Sequence, residues 1–199
     1  MCAARKSYHH GDLRDALLEA AEEQLRKSGR AGLSLRKLGR ALGVTPGAPY
    51  RHFEDKDALL AALCALGFRR LTATMADAQE GCTDSEDRLR RGGIGYITFA
   101  WTHPALFRLM FGWMPSKNVP ELSESGQAAF KGLLDILEAC DRDGLLSKSI
   151  EDSVLLTWSA VHGAAFLMID GGLGFFSPEP DPRLLGTRVH NTLWSGISK

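Results

Sequence analysis

Apolar residues recur at three- and four-residue steps along most of the chain, and no segment alternates apolar and polar positions over more than a few residues. That period is helical, so the pattern predicts an all-α protein of about nine helices. The first starts after Gly11 with Asp12 as N-cap, carries Leu13, Ala16, Leu17, Ala20, Ala21 and Leu25 on one face, and stops near Ser28 and Gly29. Ser34 caps a short second helix, with Leu35, Leu38 and Leu42 on one side and Arg36, Lys37 and Arg40 on the other. Gly43 ends it, where a left-handed backbone is wanted. A third helix of about two turns follows Thr45, with Pro46 suited to its first position. Pro49 cannot donate to the Thr45 carbonyl, which moves the regular start toward Ala48 and leaves the end at Phe53. Asp55 then caps a long helix through Leu59, Leu60, Leu63, Leu66, Leu71 and Met75.

Beyond Gly81 the pattern predicts a helix from about Ser85 to Trp101, weakened by Gly92, Gly93 and Gly95. Pro104 opens a strongly apolar one with Leu106, Phe107, Met110 and Phe111, and residues 112–125 read as a loop. A helix through Phe130, Leu133, Leu134, Leu137 and Cys140 ends at Asp143 and Gly144, and another spans 151–169. A Gly/Pro-rich connection over 171–182 leads to a last helix over 183–194. Three short helices crowd into residues 12–53, which suggests an N-terminal domain over 1–60 and a second over 61–199.

Charge changes the picture once the chain is divided. The 24 basic and 24 acidic side chains cancel overall, yet residues 1–75 hold 13 basic and 8 acidic groups, a net +5, and residues 76–199 a net −5. A polyanion would meet the N-terminal part. The four cysteines, Cys2, Cys64, Cys82 and Cys140, form no metal-spaced pair, and neither a cofactor nor a structural metal is expected. Arg5 and Lys6 lead into a polar stretch and not an apolar run, so secretion is disfavoured and a cytoplasmic location expected. The longest apolar stretch, 154–169, falls short of the ~20 residues of a membrane span and reads as a core or interface helix.

The sharpest motif is S-L-R-K-L-G-R-A-L-G-V-T-P-G-A-P-Y-R-H-F over residues 34–53. Gly39 is small where two helices would cross, Gly43 opens a tight turn, and Val44 anchors that turn, which is the spacing of a helix-turn-helix. Its second helix would point Thr45, Gly47, Ala48, Tyr50 and Arg51 at DNA. An ordinary helical hairpin with a basic solvated face is the plainer alternative. No G-x-S-x-G, Walker loop, H-E-x-x-H or dinucleotide fingerprint is present, so an enzyme is not expected. His9 and His10 read as phosphate contacts sooner than metal ligands.

With Y-H-H-G-D-L-R and the run from Ser34 through the leucine-rich segment to Leu63, the chain resembles the TetR/AcrR-like transcriptional regulators over roughly residues 8–63. The resemblance implies that Tyr50, His52 and Lys56 contact DNA phosphates and that Phe53 packs the three-helix core, with Arg36 and Lys37 as further backbone contacts. Trp158-x-x-x-His162-Gly163, together with H-P-A-L-F-R-L-M-F from His103, resembles the regulatory domain class named for its Trp-His-Gly motif. This implies dimerisation through the last two long helices and a small effector in the helical bundle. Trp101, Phe107, Met110, Phe111, Trp113, Trp158, His162, Phe166 and Met168 supply an apolar, aromatic inventory for that effector, although each is also an ordinary core residue. The expectation is therefore a homodimeric repressor released from a palindromic operator by an apolar or aromatic ligand. A helical adaptor that binds another protein and no DNA is the alternative.

Overall fold

The computed structural model describes residues 10–175 and 181–199, with side chains from residue 13 onward. The readings made of Cys2, Tyr8, His9, the side chains of His10 and Asp12, and the segment 176–180 lie outside the described residues. Among the described residues the chain forms eight α-helices: α1 (His10–Gly32), α2 (Leu35–Ala41), α3 (Lys56–Ala78), α4 (Ser85–Thr102), α5 (Pro104–Gly112), α6 (Pro120–Arg142), α7 (Ile150–Ile169) and α8 (Pro182–Ile197). Two 3-10 turns, Pro49–Arg51 and Gly172–Phe175, complete them.

Of the predicted caps, Asp55 makes its bond, whereas Ser34 stands at the N-cap position of α2 with extended backbone and no side-chain cap bond; Asp84 and Asp181 supply caps outside the predicted set. Asp55 accepts from the Ala58 amide at 2.8 Å, Asp84 from Asp87 at 2.7 Å, and Asp181 from Arg183 at 2.7 Å, each satisfying an amide that no helical carbonyl can reach. Two elements differ from expectation. The predicted two-turn helix after Thr45 is a 3-10 turn over Pro49–Arg51, because Pro49 cannot donate to the Thr45 carbonyl as an α-helix there would require. The loop predicted to Ser125 ends sooner, since Pro120 occupies the first turn of α6, where its missing N–H costs nothing.

α3 and α4 form the centre, with α5, α6, α7 and α8 packed around them and α1 and α2 at the N-terminal end of α3. The glycines of α4 and α8 set the closest crossings. A Cβ at Gly95 would lie 3.0 Å from the α3 backbone at Met75, and one at Gly186 would lie 2.9 Å from the Ile94 Cα. Close approach of these helices offsets the roughly 1 kcal/mol of helix propensity that each glycine gives up. One continuous core runs from Leu17, Leu38 and Phe53 through Leu63 to Phe99, Phe107 and Ala165. The expected domain division at 60 and 61 therefore falls inside α3, which belongs to both halves. A smaller cluster of Leu89, Ile136, Leu137, Cys140, Leu146 and Ile197 closes the far end, where Ser147 N–H donates to the Ile197 carbonyl at 2.8 Å.

By length and composition alone, α3 and α7 could cross a membrane. α3 instead buries Leu59, Leu60, Leu63, Cys64 and Leu71 within the bundle. α7 turns Ser153, Thr157, Ala164, Ala165 and Met168 inward and leaves Leu155, Leu156, Trp158 and Leu167 exposed.

Candidate nucleic-acid interface and effector region

The turn after α2 is built by its glycines. Gly43 takes φ +68°, its amide donates to the Arg40 carbonyl, and the Val44 amide donates to the Gly39 carbonyl at 3.0 Å. This pair of bonds closes a helix through a left-handed residue. It brings the Pro49 ring onto α2 so closely that a Cβ at Gly39 would stand 2.8 Å from the Pro49 Cγ. The following segment winds tightly: the Ala48 amide donates to the Thr45 carbonyl at 3.0 Å, and those of His52 and Phe53 both donate to the Pro49 carbonyl. Pro49 and Phe53 are buried, so the residues between them are turned outward.

Thr45, Gly47, Tyr50 and Arg51 are exposed on this turn, and Arg36, Lys37 and Arg40 are exposed on α2 beside it. Ala48, His52 and Lys56 are half-buried at its edges, and the Lys56 ammonium lies 3.5 Å from the Ala31 carbonyl. Tyr50 holds 47% of its surface in solvent, a large value for an aromatic ring in so small a unit. Arg36, Lys37, Arg40 and Arg51 have no carboxylate within ion-pair distance among the described residues. Elsewhere about half of the cations among the described residues are matched: Arg14 and Arg69 share Glu121 at 3.1 and 3.0 Å, and Arg70 holds Glu22 at 2.5 Å. Arg40 joins the predicted set here. Its place on the polar side of the second helix was visible in the spacing, but nothing there separated it from solvated surface charge.

In the second half of the chain, Phe107, Phe111, Trp158, His162 and Phe166 come together in one aromatic cluster. Phe107 meets Phe111 at 4.9 Å and Phe166 at 5.3 Å between ring centres, and His162 lies 4.6 Å from Phe111 and 4.9 Å from Phe166. Trp158, 41% exposed, spans from His162 to Phe130 at the outer edge. Tyr96 on α4, absent from the expected set, sits at the heart of it with its hydroxyl 2.7 Å from His162 Nδ1. Burial pushes the Tyr96 phenol up and the His162 imidazole down, so both are neutral at neutral pH and the phenol can donate to Nδ1. A tyrosine on a glycine-rich helical stretch gave no periodic signal that would have set it apart.

Met110 lies away from the rings, against Gly67 of α3, where any side chain on Gly67 would overlap its thioether. Trp101 stands apart near the end of α4 with 44% of its surface exposed. Trp113 follows α5, and Met168 is buried in the shared core. Ion pairs bind the two halves together: Arg14 of α1 to Glu121 of α6, and Glu22 of α1 to Arg70 of α3 and, at 3.4 Å, to His103 between α4 and α5.

Two family descriptions match this arrangement: residues 17–63 match the bacterial regulatory proteins of the tetR family, and residues 89–186 match the tetracyclin repressor-like C-terminal domain. The chain belongs to the TetR family of bacterial regulatory proteins. The helix-turn-helix lies within the residues that match the family's N-terminal description. A protein with unknown function from Rhodococcus sp. RHA1 superposes with a TM-score of 0.86 at 33% identity, over 98% of this chain and 100% of that one. A tetR-family regulatory protein from Rhodococcus RHA1 shares the fold, with a TM-score of 0.71 at 23% identity over 92% and 96% of the two chains. The HTH-type transcriptional regulator Rv1816 of Mycobacterium tuberculosis is 30% identical over 118 residues, 56% of this chain and 49% of its own. The chain thus spans about half the length of the curated relatives it matches.

Proposed function

We propose that this TetR-family protein is a cytoplasmic, sequence-specific repressor that binds an approximately palindromic operator as a homodimer and is released by a small apolar or aromatic effector. The observation that carries the reading is that Arg36, Lys37 and Arg40 on α2 and Arg51 and Tyr50 on the turn after it are all exposed, with none of the four cations ion-paired among the described residues. Unpaired cations on one face cost solubility nothing and gain by releasing counterions from DNA. In this reading Tyr50, His52, Lys56, Arg36 and Lys37 hold phosphates, and Thr45, Gly47, Ala48 and Arg51 approach base edges in the major groove.

The exposed apolar side of α7, Leu155, Leu156, Trp158 and Leu167, together with Leu184 of α8, is the dimer face. A second copy would bury what the monomer leaves in water, and Gly163, which has open space beyond its Cα, lets a partner helix come close. Two linked helix-turn-helix units then read two half-sites. Residues 1–60 act as the reading unit and 61–199 as the sensing unit.

The effector takes the aromatic cluster, with Phe107, Phe111, Trp158 and Phe166 giving contact area and His162 and Tyr96 orienting a polar group. α5 is the link to DNA. Phe107 and Phe111 lie on the same helix as Met110, which is seated on Gly67 of α3, and α3 begins at Lys56. Separating the rings displaces α5, α5 displaces α3, and the distance between the two reading units changes.

The test is a titration of the purified protein against a labelled fragment of the DNA upstream of its own gene, with an unrelated duplex as competitor. Saturable binding that survives competitor and falls by ~10³ to 10⁵ between 50 and 200 mM salt is expected, as for six to ten phosphate contacts. No binding to any duplex at low salt would move the assignment to a protein-binding adaptor. Operator and effector should weaken each other by one common factor, in the range of ~5- to 150-fold typical of allosteric coupling. Equal effector affinity with and without operator would exclude the release mechanism.

A further inference from the structure

A cleft of about 370 Å³ opens between the C-terminal end of α1 and α5, away from the aromatic cluster. Its apolar side is made by Leu25, Leu109 and Trp113, of which the two leucines are buried and the tryptophan is half-buried. Its polar side is made by three arginines, Arg26, Arg30 and Arg108.

These arginines are not equivalent. Arg26 is held by Glu23 through two bonds of 3.0 and 2.7 Å, and Lys27 shares the same carboxylate at 2.9 Å. Arg108 donates to Asp170 at 2.8 Å and to the Ile169 carbonyl at 2.6 Å. Arg30, just past the left-handed Gly29, has neither an ion pair nor a side-chain hydrogen bond among the described residues. Four cations therefore meet two carboxylates at this junction, and the unmatched one lines the cleft. The volume is that of a small-molecule site, and an apolar wall facing a planar, unpaired guanidinium matches an apolar body that ends in a carboxylate.

We propose that this cleft is a second ligand site, distinct from the aromatic cluster, for an apolar or aromatic monocarboxylate whose carboxylate pairs with Arg30 and whose body lies on Trp113, Leu109 and Leu25. Its walls come from both halves of the protein. A bound carboxylate joins α1, which packs on the helix-turn-helix, to α5, which carries Phe107 and Phe111. The inference is independent of the effector reading given to the cluster, and its primary readout does not use DNA.

Calorimetric titration of the full-length protein with 2-naphthoate, and with the neutral 2-naphthamide of the same shape, tests it. The naphthoate should bind at least 10-fold more tightly than the amide. Arg30→Gln should remove that preference without lowering Tm, since Arg30 makes no contact that the fold uses. Gly112→Phe, placed where a Cβ meets open space at the cleft, should abolish naphthoate binding by filling it. His162→Gln, in the other site, should leave naphthoate binding here unchanged. Equal affinity for acid and amide, no binding of either, or binding unaffected by both Arg30→Gln and Gly112→Phe would overturn the assignment. A lower Tm for Arg30→Gln with unchanged naphthoate affinity would instead make Arg30 a partner of the carbonyl end of α1.

Discussion

The helix-turn-helix and the aromatic cluster divide the work of the molecule in opposite physical ways. In the first, the residues assigned to function stand in solvent on a buried scaffold: Leu35, Leu38, Gly39, Pro49 and Phe53 hold the turn, and Tyr50, Arg51, Arg36 and Lys37 project from it. In the second, the same side chains are both scaffold and candidate site, because Phe107 is fully buried and touches Tyr96, Phe99, Phe111, His162 and Phe166. Function and stability should therefore separate under mutation in the N-terminal unit and stay entangled in the C-terminal one.

Phe107→Ala puts the strongest strain on that contrast. Removing a fully buried ring should cost about 3–5 kcal/mol of stability, measured by urea unfolding. Effector binding should fall with it. A stable Phe107→Ala variant that has lost only ligand affinity would show the cluster to be a preformed site and not core, and the entanglement argued above would be wrong.

On the other side, the double variant Tyr50→Ala/Lys56→Ala should lose operator affinity by at least ~100-fold, about 2.7 kcal/mol, while Tm and the dimer mass in solution remain those of the parent. Phosphate contacts contribute to every sequence equally, and Lys56 is the one cation removed, so the salt slope should also fall by roughly 1 for each half-site. Retained operator affinity would sink the assignment of these two positions.

The same contrast explains what the sequence made legible. The helix-turn-helix is local, and its requirements are stereochemical: a left-handed Gly43, a Cβ-free Gly39 under Pro49, an N-cap at Asp55. Such requirements mark single positions, so the unit could be read from spacing. Even there the predicted third helix is only a 3-10 turn, since Pro49 removes the donor that would have bonded the Thr45 carbonyl. The cluster is built from residues 66 positions apart in the case of Tyr96 and His162, and long-range pairing leaves no periodic trace. Apolar residues at helical spacing named most of its rings, yet the same criterion also selected Trp101, which projects into solvent. The extent of α3 through both halves was legible as a long helix, but its membership of one unbroken core was not.

A smaller effect sharpens the comparison at His162. The titratable group facing it is Tyr96 on α4, and its remaining ring neighbours, Phe107, Phe111, Trp158 and Phe166, carry no charge. Burial lowers its pKa below the unfolded value of about 6.5, so on acidification the unfolded chain takes up this proton before the folded one does. The stability concerned is fully present above pH 6.5 and is lost as pH falls from there toward the folded pKa. His190, stacked on Trp194 and also lowered by burial, adds to the same trend. His162→Gln keeps an acceptor for the Tyr96 hydroxyl and removes the titration, so its Tm should drop less than that of the parent between pH 7.5 and 5.0. Operator-binding residues offer no such buried imidazole, and the difference between the two slopes isolates the cluster. Parallel slopes for parent and variant would mean that His162 already meets water in the folded state, which is what a cluster open to its effector would look like.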